Sequence, residues 1–128
     1  DELVSKRIQI NEKYQSSLSD IDGISFQANK DYAKNVFWMS SILIDSHKTG
    51  FSRNELENYL NESNIQTRRL FVGMHRQPVI KKYGINISEK FEISDYISDN
   101  GLYLPSSPHM NEHDFERIVS AIIELAKN

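Results

Sequence analysis

From Asn111 to Lys127 the apolar residues Phe115, Ile118, Val119, Ile122 and Leu125 recur at three- and four-residue intervals, a stripe that only an α-helix gathers onto one side. A helix patterned in this way needs an apolar surface to lie on. The run Ala33 to Ile44 can supply one, because its Val36, Phe37, Trp38, Ile42 and Ile44 are the β-branched and aromatic residues that suit a well-buried strand. Trp38 is expected inside the core. The 128 residues are enough for one self-supporting core, so 1–128 reads as a single domain.

Other segments fit the same plan. Residues 1 to about 19 read as a helix with Val4, Ile8 and Leu18 near one stripe, followed by a loop from Asp20 to Lys30. Gly50 ends a turn. Ser52 and Glu55 have the spacing of a capping box, which starts a helix running from Arg53 to about Ser63 with Leu56, Tyr59 and Leu60 inward. Ile65 to Phe71 reads as extended. Pro78 opens a short helix through Tyr83 that Gly84 can close at positive φ. Ser88 is expected to cap a helix whose Ile93, Tyr96 and Ile97 face inward, with Gly101 as its stop before a strand from Leu102 to Leu104. Asn111 is the expected cap of the last helix. The fold class is therefore α+β, a small, mainly antiparallel sheet packed with helices.

Charge and composition narrow the function. Fifteen basic and 18 acidic side chains leave a net charge of -3, which gives no field to gather nucleic acid or an anionic membrane. Apolar runs fall far short of the about 20 residues that span a bilayer, and no signal peptide is visible. The absence of cysteine removes disulfides and thiolate metal sites and fits a reducing, cytoplasmic setting. The chain opens on Asp1 without an initiator Met, as expected of a piece of a longer protein.

No complete catalytic constellation can be assembled from these residues. Of the four histidines only His109 and His113 approach metal-ligand spacing, and without an HExxH pattern they read as a solvated helix entrance. The five glycines are scattered and form no phosphate loop. Lys81 and Lys82 read as solvated, and the acidic residues at 89, 92, 95 and 99 as an ordinary surface face. The segment from Gln66 to Pro78 is different, because its mixture of polar and apolar residues suits neither a buried strand nor a solvent loop. Adjacent Arg68 and Arg69 on a strand point to opposite faces, so one can enter a pocket while the other pairs at an interface. Guanidinium groups grip phosphate or carboxylate bidentately, and His75 can donate to a sugar or phosphate oxygen.

That segment resembles the stretch T-R-P-F-F-x-P-M-H-x-Q-P of DegT-type nucleotide-sugar aminotransferases, particularly the perosamine-synthetase-like branch. Lys6-Arg7-Ile8 through Tyr14 and Leu18 looks like the family's connecting helix, Ala33 to Met39 like its first small-domain strand, and Gly101 to Ser106 like its G-L-Y-L-P-S signature. The resemblance covers nearly the whole chain. It implies the C-terminal small domain of a fold-type-I aminotransferase, without the large domain that holds pyridoxal phosphate on a lysine. The parent would convert a nucleotide-linked keto sugar to an amino sugar, with glutamate as donor, for lipopolysaccharide or other surface polysaccharide, and would work as a homodimer. This chain alone would carry no catalytic residue and no cofactor, and would be inactive.

Carried over residue by residue, the resemblance makes Arg68 and His75 substrate-binding, with Asn35, Arg69 and Phe71 as further candidates and no metal ligand. Arg69 stands where proline is usual, Leu70 replaces an aromatic, and Gly73 replaces the second proline, which is expected to loosen the loop. The wording Arg69-Leu70-Phe71 also leans toward a related branch with a T-R-x-L-F pattern that dehydrates deoxysugars. A non-catalytic binding module whose arginine strand grips an acidic partner is the reading from another class. As an isolated domain, the chain is expected to expose apolar surface and to self-associate.

Overall fold

A computed structural model describes residues 1–127, the side chain of Lys81 apart. The elements are α1 (Glu2–Leu18), β1 (Ile24–Phe26), β2 (Ser40–Ile44), α2 (Ser46–Thr49), α3 (Arg53–Glu62), β3 (Arg68–Arg69), a 3-10 turn at Met74–Arg76, α4 (Pro78–Lys82), α5 (Glu92–Asn100), β4 (Gly101–Leu104) and α6 (Glu112–Lys127). The strands form one antiparallel sheet in the order β1-β2-β4-β3, with Ile24 opposite Ile44, Ser40 opposite Leu104 and Arg68 opposite Tyr103.

Alternation along the strands decides where the core lies. Ile42, Ile44, Leu102 and Leu104 turn to one face, where they meet Tyr14 and Leu18 of α1, Leu56 and Leu60 of α3, and Phe115, Ile118 and Ile122 of α6. The expected α6 stripe is thus buried, and the α+β class holds. Tyr14 also packs on Phe115 with ring centroids 4.8 Å apart and donates to the Pro105 carbonyl at 2.8 Å, which ties α1 to the end of β4. Burial pushes the Tyr14 phenol well above its ordinary range, so it remains a neutral donor. Helix α5 lies against the sheet's other face, where Ile97 shares a cleft with Ser41, Leu43 and Tyr103. No helix among the described residues is long and apolar enough to cross a membrane.

Four of the local stop and start signals, at Gly50, Ser52, Gly84 and Asn111, are where the sequence puts them. Ser52 Oγ accepts from Glu55 N at 3.3 Å while the Glu55 carboxylate takes the Ser52 N–H at 2.7 Å. Asn111 Oδ1 accepts from Asp114 N at 2.8 Å at the head of α6. Gly50 and Gly84 take φ of 78° and 67°.

Several longer-range expectations are corrected. The strand expected over 33–44 is confined to Ser40–Ile44, because Asn35 Oδ1 captures the Phe37 N–H at 2.9 Å and Phe37 sits at φ 43°, which breaks the extended path. That turn drives Phe37 inward, to 4% exposed, and leaves Trp38 outside at 61%, so Trp38 is not a core residue. The expected loop 20–30 contains edge strand β1, too short to register as a pattern. Ser88 caps nothing: α5 begins at Glu92 after Phe91, with no side-chain cap. Its Ile93 and Tyr96 point to solvent at 77% and 47% exposed, because the core is already filled from the opposite face. The extended run 65–71 holds only a two-residue strand. Gly101 starts β4 at an extended φ of -95°; it is required for space, since a Cβ there would lie 2.5 Å from the Ile97 carbonyl oxygen.

Candidate functional site

Strand β3 sits at the sheet edge, and its two arginines part company there. Arg69, in register with Leu102, reaches to the helical side and places Nε at 2.8 Å and Nη2 at 2.7 Å from one carboxylate oxygen of Glu57 on α3. Glu57 in turn holds the Arg69 guanidinium above its ordinary range. Arg68, in register with Tyr103, is exposed and has no hydrogen-bond or ion-pair partner among the described residues. Strand alternation gives the two side chains different partners, but the expectation that only one would enter a given pocket is corrected, because both arginines line the cleft at this edge. Arg53, at the start of α3, adds a third guanidinium whose pKa is lowered by burial and by the charge of Arg69.

Arg68 lines a cleft of about 580 Å³ together with Asn58, Asn61, Gln66, Thr67 and Tyr103. Tyr103 also faces a second, more apolar cleft of about 640 Å³ beside Asn35, Trp38, Leu70 and Ile97. Desolvation raises the Tyr103 phenol, so its hydroxyl is neutral near pH 7 and can donate or accept. Tyr103 is absent from the candidates drawn from the sequence; the available signal was its outward position on a strand whose neighbours Leu102 and Leu104 are buried. Asn35 borders the second cleft but already uses its side-chain oxygen on Phe37 N. Phe71 is 70% exposed and meets Tyr103 edge-on at 5.9 Å.

His75 is placed elsewhere, under the loop that follows β3. Its Nε2 lies 2.8 Å from Asp95 Oδ1 and its ring stacks on Phe91 with centroids 4.6 Å apart. Arg76 donates to Asp99 at 2.6 Å and reaches Asp95 at 3.4 Å, and Gln77 Nε2 donates to the Val72 carbonyl at 3.1 Å. Asp95 and Asp99, read from the sequence as ordinary surface, are thus the anchors of this loop. Gly73 does not loosen it: a Cβ there would stand 2.6 Å from His75 Cε1 and 2.7 Å from Ser94 Oγ, so glycine allows the tight seat. Arg68 and His75 accordingly flank one loop without sharing the polar cleft, which His75 does not line. Among the described residues no three His, Asp or Glu side chains gather to hold a metal ion.

Comparison with known proteins gives this arrangement a setting. The chain is 30% identical over 129 residues to GDP-perosamine synthase of Escherichia coli O157:H7, a match covering 98% of the chain and 32% of that protein. It is 31% identical over 135 residues to the UDP-4-amino-4-deoxy-L-arabinose--oxoglutarate aminotransferase of Shewanella sediminis, covering 99% of the chain and 34% of the relative. Among solved structures, DesV of S. venezuelae superposes with a TM-score of 0.83 at 19% identity, over 98% of this chain and 32% of that one, a likeness of fold. The chain spans about a third of the length of the curated relatives it matches. The family profile matches residues 1–123, nearly the whole length, and the chain belongs to the DegT/DnrJ/EryC1/StrS aminotransferase family.

Proposed function

We infer that this chain is the C-terminal, substrate-side domain of an enzyme that moves an amino group onto a nucleotide-linked keto sugar, serving lipopolysaccharide or another surface polysaccharide in the cytoplasm. The observation that carries the reading is the family match over residues 1–123 in a chain one third as long as relatives named for amino-sugar formation. The remaining two thirds would supply the pyridoxal phosphate site. Of the described lysine side chains none is buried, and a Schiff-base lysine needs a desolvated setting, so the residues present do not fit that cofactor. When bound in the parent, pyridoxal phosphate supplies the electron sink for the transfer.

In this reading Arg68 contacts the substrate directly, and His75, held by Asp95 and Phe91, sets the loop beside it. Glutamate is the donor and the parent is a homodimer. The test is to supply pyridoxal phosphate, glutamate and a nucleotide-linked 4-keto sugar both to this chain and to the complete polypeptide. Amino sugar is expected from the complete polypeptide alone. Turnover by the 128 residues themselves would overturn the division of labour. Loss of water without nitrogen transfer would replace amination by deoxysugar dehydration.

A further inference from the structure

Helix α1 buries Asn11 alongside Tyr14 and Leu18, and the asparagine is only 1% exposed. Ser40, at the head of β2, is 2% exposed and shares the core-facing side of its strand with Ile42 and Ile44. Both are polar residues in an apolar layer. Asn11 Oδ1, Asn11 Nδ2 and Ser40 Oγ are closed to solvent, and none of the three has a hydrogen-bond partner among the described residues. Buried amides and hydroxyls are costly unless bonded, so three such atoms in one small core call for a partner.

The contacts on either side of Asn11 bring it to Ser40. Four positions earlier, Arg7 donates to the Trp38 carbonyl at 3.2 Å, two residues before Ser40. Three positions later, Tyr14 donates to the Pro105 carbonyl at 2.8 Å, and Pro105 follows Leu104, the register partner of Ser40. The far end of α1 leads into β1, whose Ile24 lies opposite Ile44, so helix and strand run in the same direction. From Arg7 to Asn11 the helix rises about 6 Å, and from Trp38 to Ser40 the strand advances about 7 Å. Asn11 and Ser40 therefore stand at the same height where α1 lies on β2.

We propose that Asn11 and Ser40 hold one internal water molecule between α1 and the head of β2. Water can donate to Asn11 Oδ1, accept from Asn11 Nδ2 and pair with Ser40 Oγ in either sense, about the three bonds that a buried water usually makes. A direct bond between the two side chains would leave at least one Asn11 atom unmet. A cation would meet the two oxygens but repel the Nδ2–H dipoles. The consequence is positional: Arg7, Asn11 and Tyr14 each tie α1 to the sheet, and the middle tie runs through water. Apolar contacts are non-directional and would let the helix slide, whereas hydrogen bonds at three points fix its height. The site stands whether or not the parent transfers nitrogen.

A crystal structure of the 128-residue chain, at a resolution that shows ordered water, is the first test. One isolated oxygen is expected within about 2.7–3.2 Å of both the Asn11 side chain and Ser40 Oγ. No density there, or a direct bond between Asn11 and Ser40, would overturn the site. Urea unfolding of a double-mutant cycle is the second test. Asn11→Leu alone strands the hydroxyl and Ser40→Ala alone strands the amide, so each is expected to lower the folding equilibrium constant about tenfold. The pair removes all three polar atoms and should lose no more than either single variant. Losses that multiply strictly, or an Asn11→Leu chain as stable as the unsubstituted one, would overturn the bridge.

Discussion

His75 Nε2 stands 2.8 Å from Asp95 Oδ1, a residue twenty positions further along the chain, while the His75 ring lies on Phe91 at 4.6 Å. The pair fastens the loop after β3 to α5, so its removal should be felt as lost stability before anything else. Asp95→Ala is expected to cost about 1–2 kcal/mol, the worth of a hydrogen bond to a charged group at a partly exposed position. Asp95→Asn keeps an oxygen acceptor and should cost less than half as much. Urea unfolding of the two variants checks the order, and equal stabilities would show that the contact contributes nothing.

Gly73 supports the same loop through absence of bulk. Its φ of -55° and ψ of 146° suit any residue, so replacing it carries no backbone penalty. The obstacle is the space taken by His75 Cε1 and Ser94 Oγ. Gly73→Ala should therefore destabilise by about 1–3 kcal/mol through overpacking. In a Ser94→Ala background, where one obstructing atom is gone, the cost should shrink. Thermal unfolding of the four proteins in this cycle measures the coupling, and strict additivity would refute the packing account.

What could be read from the sequence was what neighbours in the chain decide. The Ser52–Glu55 box, the Asn111 cap and the α6 stripe each need only residues within one or two turns, and all three are present. The parting of Arg68 from Arg69 likewise follows from strand alternation. The misplaced strand at 33–39 turns on one Asn35 side chain choosing the Phe37 N–H over solvent, a contest that a run of apolar residues conceals. Asp95 and Asp99 were illegible as anchors because their partners lie 20 and 23 residues away on another element. The polar cleft is of the same kind, since α3, β3 and β4 contribute to it and no short motif contains them.

Acid sensitivity should enter partly through the head of α3. The Ser52 hydroxyl and then the Ser52 N–H hold the Glu55 carboxyl below its ordinary range. A lowered folded value means that the charged form is favoured by folding, so its stabilisation is fully present above the unfolded value of about 4.3. It is lost as the pH falls through the lower folded value. Glu55→Gln should abolish that share of the pH dependence while leaving the rest of the acid transition. Parallel slopes for wild type and Glu55→Gln in unfolding measurements between pH 2 and pH 5 would show that the box is not a titrating element.

Large apolar side chains left outside the buried core give the remaining prediction. Phe71, Met74, Tyr83 and Ile93 are each at least 70% exposed, and Trp38 is 61% exposed, so several large apolar groups stand in water. In a polypeptide of its relatives' length this surface would have somewhere to go; in the chain by itself the neighbour available is another copy. Sedimentation of the 128-residue chain should therefore show an average mass that rises with concentration. Phe71→Ser together with Ile93→Glu should flatten that rise. Neither side chain belongs to the buried core, so the double variant should keep its unfolding free energy within about 0.5 kcal/mol, as substitutions of exposed groups generally do. A mass that stays monomeric across concentrations in the unsubstituted chain would show that the exposed residues are too dispersed to act as one surface.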